Sequence, residues 1–187
     1  GALLRGLPDY LIDNANRQGI FICRVVVVKS TDRGDTSAFT DQDNLYTLCI
    51  RGIENGQPVS ENVLCTAISR VLSAGTEWKE VLAFAADPNL EIVLSNTTEV
   101  GIQLVQEDIR EMPPESFPGK LLAVLFARYQ AFNGDLTKGL VIVPTELIPQ
   151  NGSLLESIVL ELAHLNELEY AFIEWLEQAC TFCNSLV

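Results

Sequence analysis

One histidine, one methionine, 12 basic side chains against 25 acidic ones, and no apolar run longer than the seven residues from Leu121 to Ala127 are what this 187-residue sequence lacks most visibly. Each shortage excludes something. Seven apolar residues fall far short of the ~18 to 20 that cross a bilayer as a helix, so no membrane span is expected. A net charge of -13 repels phosphate backbones and anionic headgroups, which excludes nucleic acid and lipid surfaces as partners. The lone histidine, His164, lies on an acidic helical stretch and reads as a surface or helix-packing residue rather than a catalyst. The five cysteines, Cys23, Cys49, Cys65, Cys180 and Cys183, are odd in number and sit mostly in apolar stretches. That usage suits reduced core thiols in a cytoplasmic protein and not a disulfide framework. Cys180-x-x-Cys183 has neither a second cysteine pair nor a nearby histidine, so no metal site is expected. The only methionine is Met112, and the last residues stop within an apolar pattern without a polar tail, so the expectation is of a chain clipped at both ends.

What is present is a foldable composition: 48% hydrophobic, 20% charged, mean hydropathy +0.20. The length suits one domain. Leu3, Leu4, Leu7, Leu11 and Ile12 have helical spacing, closed by Gly19. Ile20 to Lys29 is a β-branched run apolar enough for a strand covered on both faces. A loop over 30–44 leads to a strand over 45–53, the turn Glu54-Asn55-Gly56-Gln57, and a partner strand over 59–65. A helix over 76–86, a strand over 90–95, a helix from Pro118 to the stop at Asn133-Gly134, and a strand over 139–144 follow, then helices over about 153–164 and 167–182. Six glutamates and no Lys or Arg beyond Asn151 read as a solvated helical face. Alternating helices and apolar strands specify a doubly wound α/β sheet with a hairpin extension, whose ligands sit at the carboxyl ends of the strands.

Three segments occupy such places. Gly1-Ala-Leu-Leu-Arg-Gly6 opens into a helix whose first N–H groups suit a pyrophosphate. Ser95-Asn-Thr-Thr-Glu-Val-Gly101 follows a buried strand and offers an amide, two hydroxyls and a carboxylate, or else forms an ordinary hydrogen-bonded turn. Pro144-Thr-Glu-Leu-Ile-Pro-Gln-Asn-Gly152 follows another, where Glu146 could equally be a plain exposed acid.

Together with Phe117-Pro-Gly-Lys-Leu and Phe182-Cys-Asn-Ser-Leu-Val187, these segments resemble the N-terminal domain of the tagaturonate reductases, or altronate oxidoreductases, a branch of the mannitol dehydrogenase group of long-chain polyol dehydrogenases. The resemblance covers essentially the whole chain. It implies a Rossmann-type domain over 1–187 lacking its first strand, with the helical catalytic domain lying beyond it as its own partner. It also implies NAD as cofactor and a sugar acid as substrate, tagaturonate being reduced to altronate in hexuronate breakdown. Fructuronate reductase and mannitol-1-phosphate dehydrogenase are the neighbouring alternatives, and a non-catalytic nucleotide-sensing domain is the alternative of another class. Carried over residue by residue, Gly1, Leu3 and Arg5 match the dinucleotide loop, and Asn96, Thr97, Thr98 and Glu99 lie beside the nicotinamide half of the cofactor. Glu146 and Asn151 match substrate-side positions, while Leu147 stands where mannitol dehydrogenases have a carbonyl-polarising asparagine. The lysine, asparagine and histidine that the family uses as its acid belong to the C-terminal domain, so no catalytic residue is expected within this chain. Lys29 replaces the acid that commonly binds the ribose hydroxyls, a change that by charge alone favours NADP.

Overall fold

A computed structural model describes residues 2–31, 36–98 and 100–186. The chain clusters into two compact units, Gly1–Ser73 and Ala74–Val187.

In the first unit, α1 (Ala2–Gly6) and α2 (Pro8–Arg17) precede β1 (Val25–Lys29), a short helix α3 (Ser37–Thr40), the antiparallel pair β2 (Tyr46–Glu54) and β3 (Gln57–Cys65), and β4 (Ile68–Ser73). β1 pairs with β4 in parallel, Val27 opposite Val71. The turn between β2 and β3 places Asn55 at φ 49° and Gly56 at φ 76°, the left-handed pair that a two-residue hairpin requires and that Asn-Gly adopts with least strain. Three details depart from the sequence reading. The first helix is interrupted at Leu7, and its interior face is inverted: Leu7 and Leu11 are exposed, whereas Asp9 and Asp13, one turn apart on α2, are buried. The first strand begins only at Val25, because Ile68, its first partner, lies there, and Ile20 and Ile22 stay exposed. β4 itself was not expected, since Ser69 and Arg70 interrupt its apolar pattern.

Asp13 explains part of that inversion. Its carboxylate accepts hydrogen bonds from Thr66 N and Thr66 Oγ1, both at 2.7 Å, and from Arg17 Nε at 2.7 Å, tying α2 to the segment between β3 and β4. Burial works against the charge, but the Thr66 hydroxyl and amide and then Arg17 outweigh it and hold the carboxyl below its ordinary range. A depressed folded-state value means stability that is complete above the unfolded value and lost as pH falls through the folded one. Thr66→Val should therefore destabilise the protein by about 1–2 kcal/mol near neutral pH. The gap to wild type should narrow below about pH 4. Chemical denaturation at a series of pH values checks it, and a gap that does not depend on pH would remove the carboxylate from the explanation.

In the second unit, α4 (Trp78–Phe84), β5 (Ile92–Ser95), α5 (Phe117–Ala131), a single 3-10 turn (Leu136–Lys138), β6 (Val141–Pro144), α6 (Asn151–Leu165), α7 (Tyr170–Ala179) and β7 (Thr181–Phe182) build a three-stranded parallel sheet in the order β5-β6-β7. Ser116 caps α5, its hydroxyl accepting from Gly119 N at 2.9 Å, with Pro118 in the first turn where its missing N–H is harmless. The core is Leu122, Leu125, Ile142, Leu155, Val159, Leu162, Phe172 and Leu176, all buried. The last helix ends at Ala179, before the residues that the apolar pattern assigned to it, because Thr181 N and Cys183 N hydrogen-bond to Leu140 O and Ile142 O as a strand. The fold is mixed α/β with parallel sheets: every strand pair is parallel except the β2–β3 hairpin, which forms a two-stranded sheet of its own. No helix among the described residues is long and apolar enough to cross a membrane.

Candidate cofactor-binding site

β5 and β6 run parallel in register, Ser95 opposite Pro144, so the segments that follow them leave the same end of the sheet side by side. The two segments are stitched together there. Thr145 N and Thr145 Oγ1 donate to Ser95 O at 2.8 and 2.7 Å, and Asn96 Nδ2 donates to Thr145 O at 2.9 Å. Glu146 completes the join: its Oε1 accepts from Thr97 N at 2.8 Å and from Thr97 Oγ1 at 3.0 Å, and its Oε2 accepts from Ser95 Oγ at 3.2 Å. Gly101 makes room for the closure, since a Cβ there would lie 2.2 Å from Thr97 Oγ1 and 2.9 Å from Thr98 O.

Asn151, the first residue of α6, holds the other side of the β6 loop. Its Nδ2 donates to Pro144 O, Glu146 O and Ser185 Oγ at 3.1, 3.1 and 2.9 Å, while its Oδ1 accepts from Gly152 N and Ser185 N at 2.8 and 3.0 Å. Glu146 at 2% exposure and Asn151 at 0% are therefore interior groups whose polar atoms face the protein.

Asn96, Thr97, Glu146 and Asn151, expected on the cofactor and substrate sides, lie together at this end of the sheet. The sequence reading missed Thr145 and Ser185, whose partners lie across the sheet and leave no local signal. Glu99 and Gly1 lie outside the described residues.

Arg5 lies in the first unit, on α1. Its Nη1 is 2.7 Å from Asp9 Oδ2, yet that nitrogen is buried without a hydrogen bond of good geometry. Tyr46 Oη donates to Arg5 O at 2.5 Å and lies 3.3 Å from Asp9 Oδ2. Burial pushes the Asp9 carboxyl above its ordinary value, more than Arg5 and Tyr46 pull it down. Leu3 is half-buried on the same helix, and Lys29 is the last residue of β1. His164 is exposed on α6, and no group of three His, Cys, Asp or Glu side chains among the described residues is placed to hold a metal ion.

The sequence matches the mannitol dehydrogenase Rossmann domain over residues 1–187. The chain belongs to this family. It is 42% identical over 188 residues to an altronate oxidoreductase of Bacillus subtilis (strain 168), which covers all of this chain and 39% of that protein. It is 41% identical over 189 residues to an altronate oxidoreductase of Halalkalibacterium halodurans, covering all of this chain and 37% of that one. The chain thus spans about two fifths of the length of these curated relatives. Among solved structures, the Pseudomonas fluorescens mannitol 2-dehydrogenase in ternary complex with NAD and D-mannitol superposes with a TM-score of 0.78 at 21% identity, covering 97% of this chain and 39% of that one. That likeness shows the fold. In open parallel sheets ligands bind beyond the carboxyl ends of the strands, and the loops after β5 and β6 leave this mannitol dehydrogenase Rossmann domain at that end.

Proposed function

We propose that this chain is the NAD-binding domain of an altronate oxidoreductase, the enzyme that reduces tagaturonate to altronate, with the acid and the rest of the substrate site supplied by a helical domain beyond residue 187. The observation that carries the reading is the Asn96–Thr98 loop, fixed at the carboxyl ends of two adjacent parallel strands. The whole chain supports it at 41–42% identity to altronate oxidoreductases.

The residues fit a dinucleotide. In the first unit, Gly1, Leu3 and Arg5 would receive the pyrophosphate, Arg5 by exchanging the Asp9 carboxylate that its Nη1 faces at 2.7 Å. In the second unit, Asn96, Thr97, Thr98 and Glu99 would flank the nicotinamide half, with Glu146 and Asn151 buried behind them and holding the two loops in place. NADH, when bound, supplies the hydride that reaches the keto carbon. This chain's part is to bind and orient, and the protein would be cytoplasmic.

The test is nucleotide oxidation by the full-length gene product, with NADH and NADPH offered against tagaturonate, fructuronate and fructose 6-phosphate. Turnover of tagaturonate with NADH is the expected result, and it would show that Lys29 does not select a 2′-phosphate. Faster turnover of another substrate moves the protein to a sister branch. Silence with all three favours a nucleotide-sensing role.

A further inference from the structure

Glu146 is an expensive group to keep where it is. Its side chain is buried, and none of the three ion pairs among the described residues includes it. The protein groups shown meeting its charge are Thr97 N, Thr97 Oγ1 and Ser95 Oγ. Neutral hydrogen-bond donors do little more than offset the cost of taking a carboxylate out of water, so the group adds little stability over a well-packed apolar side chain of similar volume. What an apolar residue could not do is fix a segment that has left the sheet. Between Ser95 and α5 the described residues form no strand, and Glu146 turns the Thr97 amide and hydroxyl inward together. Both carboxylate oxygens face these donors. The side chain therefore points at the loop and not outward at a substrate.

We infer that Glu146 is a positioning residue for the proposed reduction: it clamps Thr97, holds the Asn96–Thr98 loop in one arrangement at the carboxyl end of β5, and acts on the reacting groups only through that loop. The inference rests on the reading of this loop as flanking the nicotinamide half of the cofactor. It replaces the expectation that Glu146 touches the sugar acid itself.

The full-length protein as wild type, Glu146→Leu, Thr97→Val and the double variant separate these roles. Leucine keeps most of the volume but offers Thr97 no acceptor, whereas a glutamine oxygen could still take both bonds that Oε1 takes. If Glu146 positions the loop, kcat falls about ten- to hundredfold in Glu146→Leu. The KM for tagaturonate and the Kd for NADH, read by fluorescence, stay within about twofold of wild type. Thr97→Val shifts kcat the same way by less. The double variant is no slower than Glu146→Leu, because the leucine has already removed the contact that the valine would remove.

A tenfold rise in KM for tagaturonate with kcat held, or additive losses in the double variant, would overturn the inference in favour of a substrate contact. A lowered melting temperature with unchanged kcat would overturn it in favour of a purely structural group. Should Glu146→Leu not fold, Thr97→Val keeps the carboxylate and decides alone, by whether kcat or KM moves. These outcomes strike the inference only, whereas wild-type protein inactive on every sugar acid would take down the proposed function and the inference with it.

Discussion

Replacing Arg128 with methionine is expected to shift the urea midpoint of the protein by about 1 M or more, which at ordinary m-values is about 3 kcal/mol. Arg128 on α5 is 1% exposed, and it has no carboxylate partner among the ion pairs of the described residues. Its guanidinium instead donates to four backbone carbonyls: Nε to Lys138 O at 2.5 Å, Nη1 to Ala85 O and Asp87 O at 2.8 and 3.0 Å, and Nη2 to Leu90 O at 2.8 Å. These carbonyls belong to the end of α4, the turn before β5 and the 3-10 turn before β6. One side chain thus satisfies three irregular segments at once and fixes where both strands begin. Burial lowers the guanidinium pKa from its usual value, but an arginine so far above neutrality stays charged. Methionine fills much of the volume and leaves every acceptor unmet, each costing about 1–3 kcal/mol if it stays dry. Lysine at 128 retains the charge but not the fork, so it should recover only a minor part. A midpoint within about 0.3 M of wild type would mean that water reaches these carbonyls and that the staple is dispensable.

Asn151→Asp is expected to be nearly as damaging, with the added mark of pH dependence. The amide nitrogen of Asn151 donates to two backbone carbonyls and the Ser185 hydroxyl in a site with no exposed surface. An ionised oxygen in its place would face two carbonyl oxygens, at a cost of about 3 kcal/mol or more. The new carboxyl gains stability by taking a proton, since the protonated form donates as the amide did. Its folded-state pKa is therefore raised, and the penalty is complete above that value and shrinks as pH falls through it. Denaturation midpoints of the variant and wild type should converge toward acid pH. Parallel curves would show that the charge is solvated by rearrangement of 183–186.

The sequence announced the parts of the fold that depend on local geometry. Asn55-Gly56 specified the hairpin, and Pro118 with Asn133-Gly134 bounded α5, because each of these acts through its own backbone. β7 is two residues long and carries no periodicity of its own, so the apolar pattern extends the preceding helix through it, and β4 hides behind Ser69 and Arg70. The α2 face was misjudged for another reason. Leucines at helical spacing usually mark the interior, but Asp9 and Asp13 are made interior by Arg5, Tyr46, Arg17 and Thr66, partners that one-dimensional spacing does not reveal. The candidate site shows the same division. That 96–98 and 144–151 lie together follows from two parallel strands ending at one edge. That Glu146 turns inward follows from pairings 49 and 51 residues apart.

The β2–β3 hairpin carries a consequence for descent. Its nine paired positions run in unbroken register from Tyr46 opposite Cys65 to Glu54 opposite Gln57, and most of its residues are exposed. Few of these positions answer to a core, so substitutions there should accumulate freely, whereas changes of length should not. A single inserted residue forces a bulge or reverses every side chain beyond it, while one added on each strand merely lengthens the ribbon. Among relatives of this chain, insertions and deletions at the tip should therefore come in even numbers.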